Sequence, residues 1–130
     1  MTGESPFRGN RGSVTVVTMT VILFASILAL VFVDLLRALA SRSTAQTAAD
    51  AAALAAAQEM ARPSGMSPAV LAAEFARRNG ATLIDCRCDR RTTAAIVTVE
   101  VPVNILFVGS DRDVQARARA VVESSGAGGA

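Results

Sequence analysis

Apolar and polar residues are distributed unevenly along the chain, and the longest apolar run lies close to the N-terminus. Residues 14–33 contain no charged side chain, whereas Arg8 and Arg11 precede the run and Asp34 follows it. A helix of this length extends roughly 30 Å, which matches the hydrocarbon thickness of a bilayer. The pattern therefore predicts a transmembrane helix over residues 13–33, with residues 1–12 as a disordered lead.

The helical pattern continues beyond the apolar run. Residues 35–61 contain no glycine or proline, and residues 45–57 are dominated by alanine, the strongest helix former. Pro63 begins the first strong stop signal. We therefore predict one continuous helix over about residues 14–61, with residues 34–62 as a helical stalk that continues the transmembrane helix.

The rest of the chain predicts a small α+β outer domain over residues 63–123. Ser67 and Pro68 fit the start of a short second helix. Three strand patterns follow, at residues 81–86, 94–103 and 114–122. In the second of these, valines alternate with other residues, as in a strand with one buried face. The predicted fold class is therefore α+β: a long N-terminal transmembrane-plus-stalk helix, a short second helix and a small three-stranded antiparallel sheet.

The segments between and after the strands predict turns and a tail. Residues 89–91 and 109–113 have the composition of turns in an antiparallel meander. Residues 104–108 (NILFV) either extend the second strand or form an apolar loop. Serine, glycine and alanine at the C-terminus predict a disordered tail over residues 124–130.

The composition argues against several classes of function. The chain has no lysine, histidine, tryptophan or tyrosine, and its formal net charge is only +2. Histidine is the side chain most used for proton transfer near neutral pH and for metal binding. Dispersed arginines without aromatic neighbours do not predict a nucleic-acid surface. We therefore expect no catalytic residues, metal, cofactor, nucleic acid or small-molecule substrate, and no enzyme activity.

The two cysteines, Cys86 and Cys88, are separated by a single residue. Residues two apart on a strand are about 6.5–7 Å apart, at or beyond the upper limit of Cα separations in disulfides. A bond between these cysteines would need a bend or a turn; an intermolecular bridge or two free thiols are the other options. A structural zinc site usually needs four ligands, so no metal is expected at this pair.

Two other interpretations of the apolar segment lead to different functions. Ala38-Leu39-Ala40 before Ser41 has the small-x-small form of a leader peptidase site, and cleavage there would release a secreted domain. Against this, the apolar core is longer than the usual 7–15 residues of a signal peptide. The segment is otherwise a simple membrane anchor for a tethered outer domain.

Ala25 and Ala29 give the apolar helix a surface suited to lateral packing. Small residues four positions apart lie on one face of a helix and let a second helix approach closely. We therefore expect the membrane helix to pack through these two residues, including by self-association.

Several short strings resemble TadE/TadG-type pseudopilins, in particular a TadE-like branch common in actinobacteria. RGSVTV at residues 11–16 leads into the apolar run, and ADAAALAAA follows at residues 49–57. NGA at residues 79–81, before the cysteine-bearing strand, and ARARA at residues 116–120 extend the resemblance to about residues 11–122. The order of these strings along the chain is more specific than any one of them.

The resemblance implies a minor pseudopilin of the tight-adherence (Flp) pilus system, a relative of type IV pili, or of a related secretion system. The implied partners are the lipid bilayer and other pilin-like subunits or pilus assembly proteins. In several such proteins a prepilin peptidase cleaves after a glycine, here Gly12, so that Ser13 becomes the first residue. Pilins usually carry glutamate at the fifth mature position, where this chain has Val17.

Orientation in the membrane follows from the resemblance and the cysteines rather than from charge. Arg8 and Arg11 on one side balance Arg37 and Arg42 on the other, so the positive-inside rule gives a tie. The resemblance implies a single-pass cell-membrane protein with a cytoplasmic N-terminus and an extracytoplasmic C-terminal domain. The alternative function is a secreted or membrane-tethered binding domain unrelated to pili.

Overall fold

The computed structural model describes residues 11–103 and 112–123. Two helices, α1 (Arg11–Ala61) and α2 (Pro68–Arg78), precede three strands, β1 (Thr82–Arg87), β2 (Ala94–Val103) and β3 (Arg112–Val121). The strands form one sheet in the order β1-β2-β3, and both neighbouring pairs are antiparallel. The predicted α+β fold class is confirmed.

The helix boundaries lie close to the predicted ones. The long helix ends at Ala61, as the position of Pro63 predicts, and it begins at Arg11 rather than near residue 14. Ser67 occupies the N-cap position of α2, but its side chain makes no capping hydrogen bond. The first turn of α2 therefore depends on Pro68 and on backbone bonds to the Ser67 carbonyl.

Some predictions concern residues that the structure does not describe. Residues 1–10 of the predicted lead, the segment 104–108 and the tail 124–130 lie outside the described residues. Of the turn predicted over residues 109–113, Arg112 and Asp113 belong to β3.

The chain divides into two compact units, Met1–Leu35 and Leu36–Ala130. The described part of the first unit is apolar helix. The second unit contains the rest of α1 together with α2 and the sheet. Most of the helix that we predicted as a stalk therefore belongs to the same unit as the α+β domain.

One face of α1 in the second unit is made of buried alanines. These are Ala45, Ala48, Ala49, Ala52, Ala53, Ala56 and Ala57. They share one core cluster with Ala72 and Ala76 of α2 and with the inward-facing side of β2, where Val97 and Val99 are fully buried. Because alanine side chains are short, the helix can lie close to the sheet without leaving voids. The alanine-rich surface thus packs against the chain's own sheet.

A β-bulge in β1 decides which of its side chains face the core. The pairing with β2 shifts between Leu83 and Asp85, which leaves Ile84 as an extra residue. Strict alternation would place Asp85 on the same face as Leu83. With the bulge, Cys86 joins Leu83 against the core, and Asp85 is exposed.

The end of α2 requires a glycine. The Ala81 N–H donates to the Ala76 carbonyl at 3.0 Å and the Gly80 N–H to the Arg77 carbonyl at 3.1 Å, the two bonds of a Schellman motif. Gly80 has a φ of +75°, in the left-handed region that other residues seldom adopt. A Cβ atom at Gly80 would lie 3.9 Å from the Thr44 side chain, so this turn passes beside α1.

Substitution of Ala52 by leucine tests the close packing of α1 on the sheet. Ala52 is fully buried, so the added volume must displace its neighbours. We expect Ala52→Leu to lower the free energy of unfolding by about 1–3 kcal/mol. Amide hydrogen exchange of β2 in the full chain measures this change, because β2 lies in the core of the second unit.

The matched control for Ala52→Leu is Ala73→Leu, the same substitution at an exposed position of α2. Its expected effect is within about 0.5 kcal/mol. Equal protection of the β2 amides in both variants would show that the alanine face of α1 is not closely packed.

Candidate functional site

The N-terminal part of α1 exposes apolar side chains all around the helix. Residues 12–33 are all exposed, and α1 is long and apolar enough to span a membrane. The hydroxyls of Thr18, Thr20 and Ser26 each donate to the carbonyl four residues earlier, at 2.8 Å. These bonds satisfy the hydroxyls within the helix, which a hydrocarbon environment favours. The segment is therefore suited to contact with lipid.

The predicted processing and packing residues lie on this exposed segment. Gly12 and Ser13 are in the first turn of α1, and a Cβ atom at Gly12 would meet no described atom within 4 Å. Ala25 and Ala29 are one helical turn apart, so they share a face, and both are exposed. Cleavage after Gly12 and helix packing at the two alanines stay predictions.

The structure joins Cys86 and Cys88 by a disulfide, with Cα atoms 5.4 Å apart. This separation is shorter than the spacing of two residues in an extended strand. The chain can bend at this point because β1 ends at Arg87 and Cys88 lies just beyond the extended strand. Both cysteines are half-buried against the core cluster, so the bond fixes the start of the β1–β2 connection.

Glu59, in the last turn of α1, is the buried charged residue among those described. Its Oε1 atom accepts the Ser64 N–H and its Oε2 atom accepts the Ser64 hydroxyl, both at 2.7 Å. Nη2 of Arg90 lies 3.7 Å from Oε1 and also donates to the Met66 carbonyl at 3.2 Å. These four residues, the Glu59 cluster, tie together the end of α1, the turn after it and the β1–β2 connection.

The contacts of Glu59 favour its charged form. The hydroxyl of Ser64 is the main cause that holds the pKa of Glu59 below its usual value of 4.5, and the backbone N–H groups of Ser64 and Gly65 act in the same direction. Burial raises the pKa, but these bonds and the charge of Arg90 outweigh it. A carboxylate near a helix C-terminus is opposed by the helix dipole, so Glu59 depends on these partners.

Two further features of the polar side chains can be stated for the described residues. Among them, no group of three or more histidine, cysteine, aspartate or glutamate side chains is placed to hold a metal ion. On α2, Glu74 pairs with Arg77 at 2.6 Å and Arg78 at 2.9 Å, and these bonds lower the pKa of Glu74.

The sequence analysis missed the Glu59 cluster. A local signal exists, because Glu59 lies in the last helical turn, five residues before Ser64 and close to the stop at Pro63. The contribution of Arg90 has no such signal, since it depends on how the β1–β2 connection folds back toward α1.

A long exposed apolar helix followed by a small α+β unit fits a single-pass membrane-anchored protein, by the length and composition of the helix. Residues 12–59 match the Tad family model, described as "Putative Flp pilus-assembly TadE/G-like". The match covers a little over a third of the chain, and all of it lies in α1. No curated protein and no solved structure matches the chain.

The match confirms the TadE-like resemblance that was predicted from residues 11–16 and 49–57. It supports a role related to Flp pilus assembly, in a family that is structural rather than catalytic. Together with the exposed apolar helix, it supports single-pass anchoring in a membrane.

Replacement of Glu59 by glutamine tests the Glu59 cluster. Because the pKa of Glu59 is lowered in the folded state, its charge stabilises the fold above pH 4.5, and this contribution is lost as the pH falls further. We expect Glu59→Gln to lower the midpoint of thermal unfolding at pH 7, and this difference to shrink progressively as the pH falls below 4.5. Circular dichroism of the full chain in detergent measures both midpoints.

The control is Glu123→Gln, which removes an exposed glutamate at the end of the described chain. It should leave the midpoint at pH 7 almost unchanged. A Glu59→Gln variant as stable as the control at pH 7 would contradict a stabilising role for the carboxylate.

Proposed function

We propose that this protein is a TadE-like minor pseudopilin, or an assembly component, of a tight-adherence (Flp) pilus or a related secretion system. The observation that carries the proposal is the family match over residues 12–59, which contains the whole exposed apolar segment. The protein is anchored in the cell membrane by α1, with the N-terminus in the cytoplasm and the folded unit outside.

The proposed mechanism is packing rather than chemistry. Within the bilayer, α1 associates laterally through the face that carries Ala25 and Ala29, with pilin-like subunits, assembly proteins or a second copy as partners. The exposure of all residues from 12 to 33 supports this, because close contact between small residues favours association in lipid. Outside the membrane, the folded unit docks on pilus components.

A secreted binding domain released by cleavage after Ala40 is less well supported. The family match runs continuously from residue 12 to residue 59, across the bond between Ala40 and Ser41. Cleavage at that bond would remove more than half of the matched segment. The helix is also unbroken there, since α1 extends from Arg11 to Ala61.

Mapping of the mature N-terminus tests the proposed function. We expect mass spectrometry of the native membrane fraction to find a protein that begins at Ser13, as cleavage by a prepilin peptidase after Gly12 requires. Gly12→Leu should block this cleavage and leave the full-length chain, whereas Gly3→Leu, a glycine outside the junction, should not. A soluble protein that begins at Ser41 would overturn the assignment.

Enlargement of Ala25 and Ala29 tests the lateral packing. We expect the double substitution Ala25→Leu/Ala29→Leu to weaken association of labelled full-length chains in liposomes, about fivefold for a loss of ~1 kcal/mol. Energy transfer between the labels measures association. The matched control is Ile27→Leu/Val31→Leu, with the same spacing on another face of the helix. An equal effect of both pairs, or no effect of the first, would contradict packing at the alanines.

A further inference from the structure

The sheet has two outer edges, and they differ in their suitability for pairing with another strand. The β1 edge is interrupted, since β1 contains the bulge at Ile84 and ends beside the disulfide of Cys86. β3 is ten residues long, and its pairing with β2 shows no shift in register. Among the described residues, no strand pairs with its other edge. Bulges and short strands protect an edge from further pairing, so the open edge of this sheet is that of β3.

The backbone of β3 directs alternate residues to this open edge. In an antiparallel pair, every second residue of a strand exchanges hydrogen bonds with the partner strand, and the residues between them point their N–H and C=O groups away. The Val122 N–H, just beyond the end of β3, donates to the Thr93 carbonyl at 2.8 Å. Counted back from Val122, the even-numbered residues bond to β2. Gln115, Arg117 and Arg119 therefore direct their backbone groups to the open edge.

The two arginines of this set place their side chains on the sheet face that is turned away from the core. Arg117 and Arg119 pair with Thr98 and Ile96, the two residues that flank the buried Val97 on β2. Both arginines are exposed. In the part of the chain that the structure describes, neither has an acidic partner. Two uncompensated positive charges thus lie two residues apart along the open edge.

Space for another strand is present beside this edge. An open groove of about 560 Å³ in the second unit is lined by residues 113–117 of β3 and by Arg42 and Gln46 of α1. Consecutive side chains of a strand point to opposite faces of the sheet. A single groove that is lined by five consecutive residues therefore lies along the edge of the strand.

A strand added at the open edge would meet the two arginines with its own side chains. Residues opposite each other in an antiparallel hydrogen-bonded pair have Cα atoms about 5.5 Å apart and side chains on the same face. The residues opposite Arg117 and Arg119 would therefore lie two apart in the added strand. Carboxylates at those positions would pair with the guanidinium groups, whereas basic side chains would be repelled. The open edge thus favours an acidic strand.

We propose that the open edge of β3 binds an extended acidic segment of a partner protein by strand addition, with two carboxylates of that segment against Arg117 and Arg119. Main-chain hydrogen bonds at the edge supply the affinity, and the two arginines select the partner. The inference goes beyond the proposed function, which does not say where the folded unit docks. It depends on the sheet alone, so its failure would leave the pilus assignment unchanged.

Amide hydrogen exchange of the full chain in detergent tests strand addition. The probe is a short synthetic peptide with two glutamates at alternate positions among valines and threonines. At about ten times its Kd, the peptide should slow exchange of the Gln115, Arg117 and Arg119 amides about tenfold, because only the free fraction keeps an open edge. The amides of Ala116 and Ala118 already bond to β2, so their exchange should change less.

Two comparisons test the role of the arginines. A peptide with glutamine in place of both glutamates should bind about fivefold more weakly, and Arg117→Gln/Arg119→Gln should weaken binding of the glutamate peptide by a similar factor. The matched control is Arg62→Gln/Arg91→Gln, which removes the same charge from exposed positions outside β3. It should bind the glutamate peptide as the unmodified chain does. Equal weakening in both double variants would show attraction to general surface charge and overturn the proposal.

Three other outcomes would also overturn the proposal. Peptide binding without slower exchange at the edge amides would show attraction between side chains without an added strand. Slow exchange at those amides in the absence of peptide, increasing with the concentration of the chain, would identify a second copy as the occupant of the edge. Absence of peptide binding would show that the edge does not accept an acidic strand.

Discussion

The close approach of α1 to the sheet is the constraint on which the second unit depends. The buried hydrophobic residues described are all alanine or valine, and the largest fully buried ones are Val97 and Val99. A core of such small side chains buries little apolar area per residue, so the area must come from close contact along the part of α1 that carries the buried alanines. The short side chains on the alanine face of α1 allow that contact.

The other features of this unit follow from the same approach. Since α1 lies close to the sheet, its end must be held where the β1–β2 connection passes, and the Glu59 cluster does this with polar contacts. The turn at Gly80 runs beside Thr44, whose side chain would be in van der Waals contact with a Cβ atom at Gly80. A bulkier face on α1 would separate these connections as well as open the core.

The regular elements were predictable because each has a local cause. Pro63 ends the helix pattern of α1, and the alternating valines of β2 follow from one buried face. The bulge in β1 has no comparable local signal. Which residues of β1 face the core becomes clear only once the pairing of β1 with β2 is known. The candidate site divides in the same way: the apolar segment is visible in the sequence, whereas the contact of Arg90 with Glu59 depends on tertiary packing.

The roles of α1 explain the uneven family match. One helix supplies both the exposed apolar segment and the alanine face of the folded unit, and residues 12–59 contain both. The sheet lies outside the matched segment. The similarity to the Tad family model therefore concerns α1 alone.

The bulge at Ile84 lets β1 carry one residue more than its pairing with β2 uses. If all residues of β1 alternated regularly from Leu83, Asp85 and Arg87 would face the alanine and valine core and Cys86 would face solvent. Deletion of Ile84 would instead place Asp85 directly after Leu83, and regular alternation would then give the same facing that the bulge produces. A chain without Ile84 should therefore keep Cys86 against the core, with a regular β1 in place of the bulged strand.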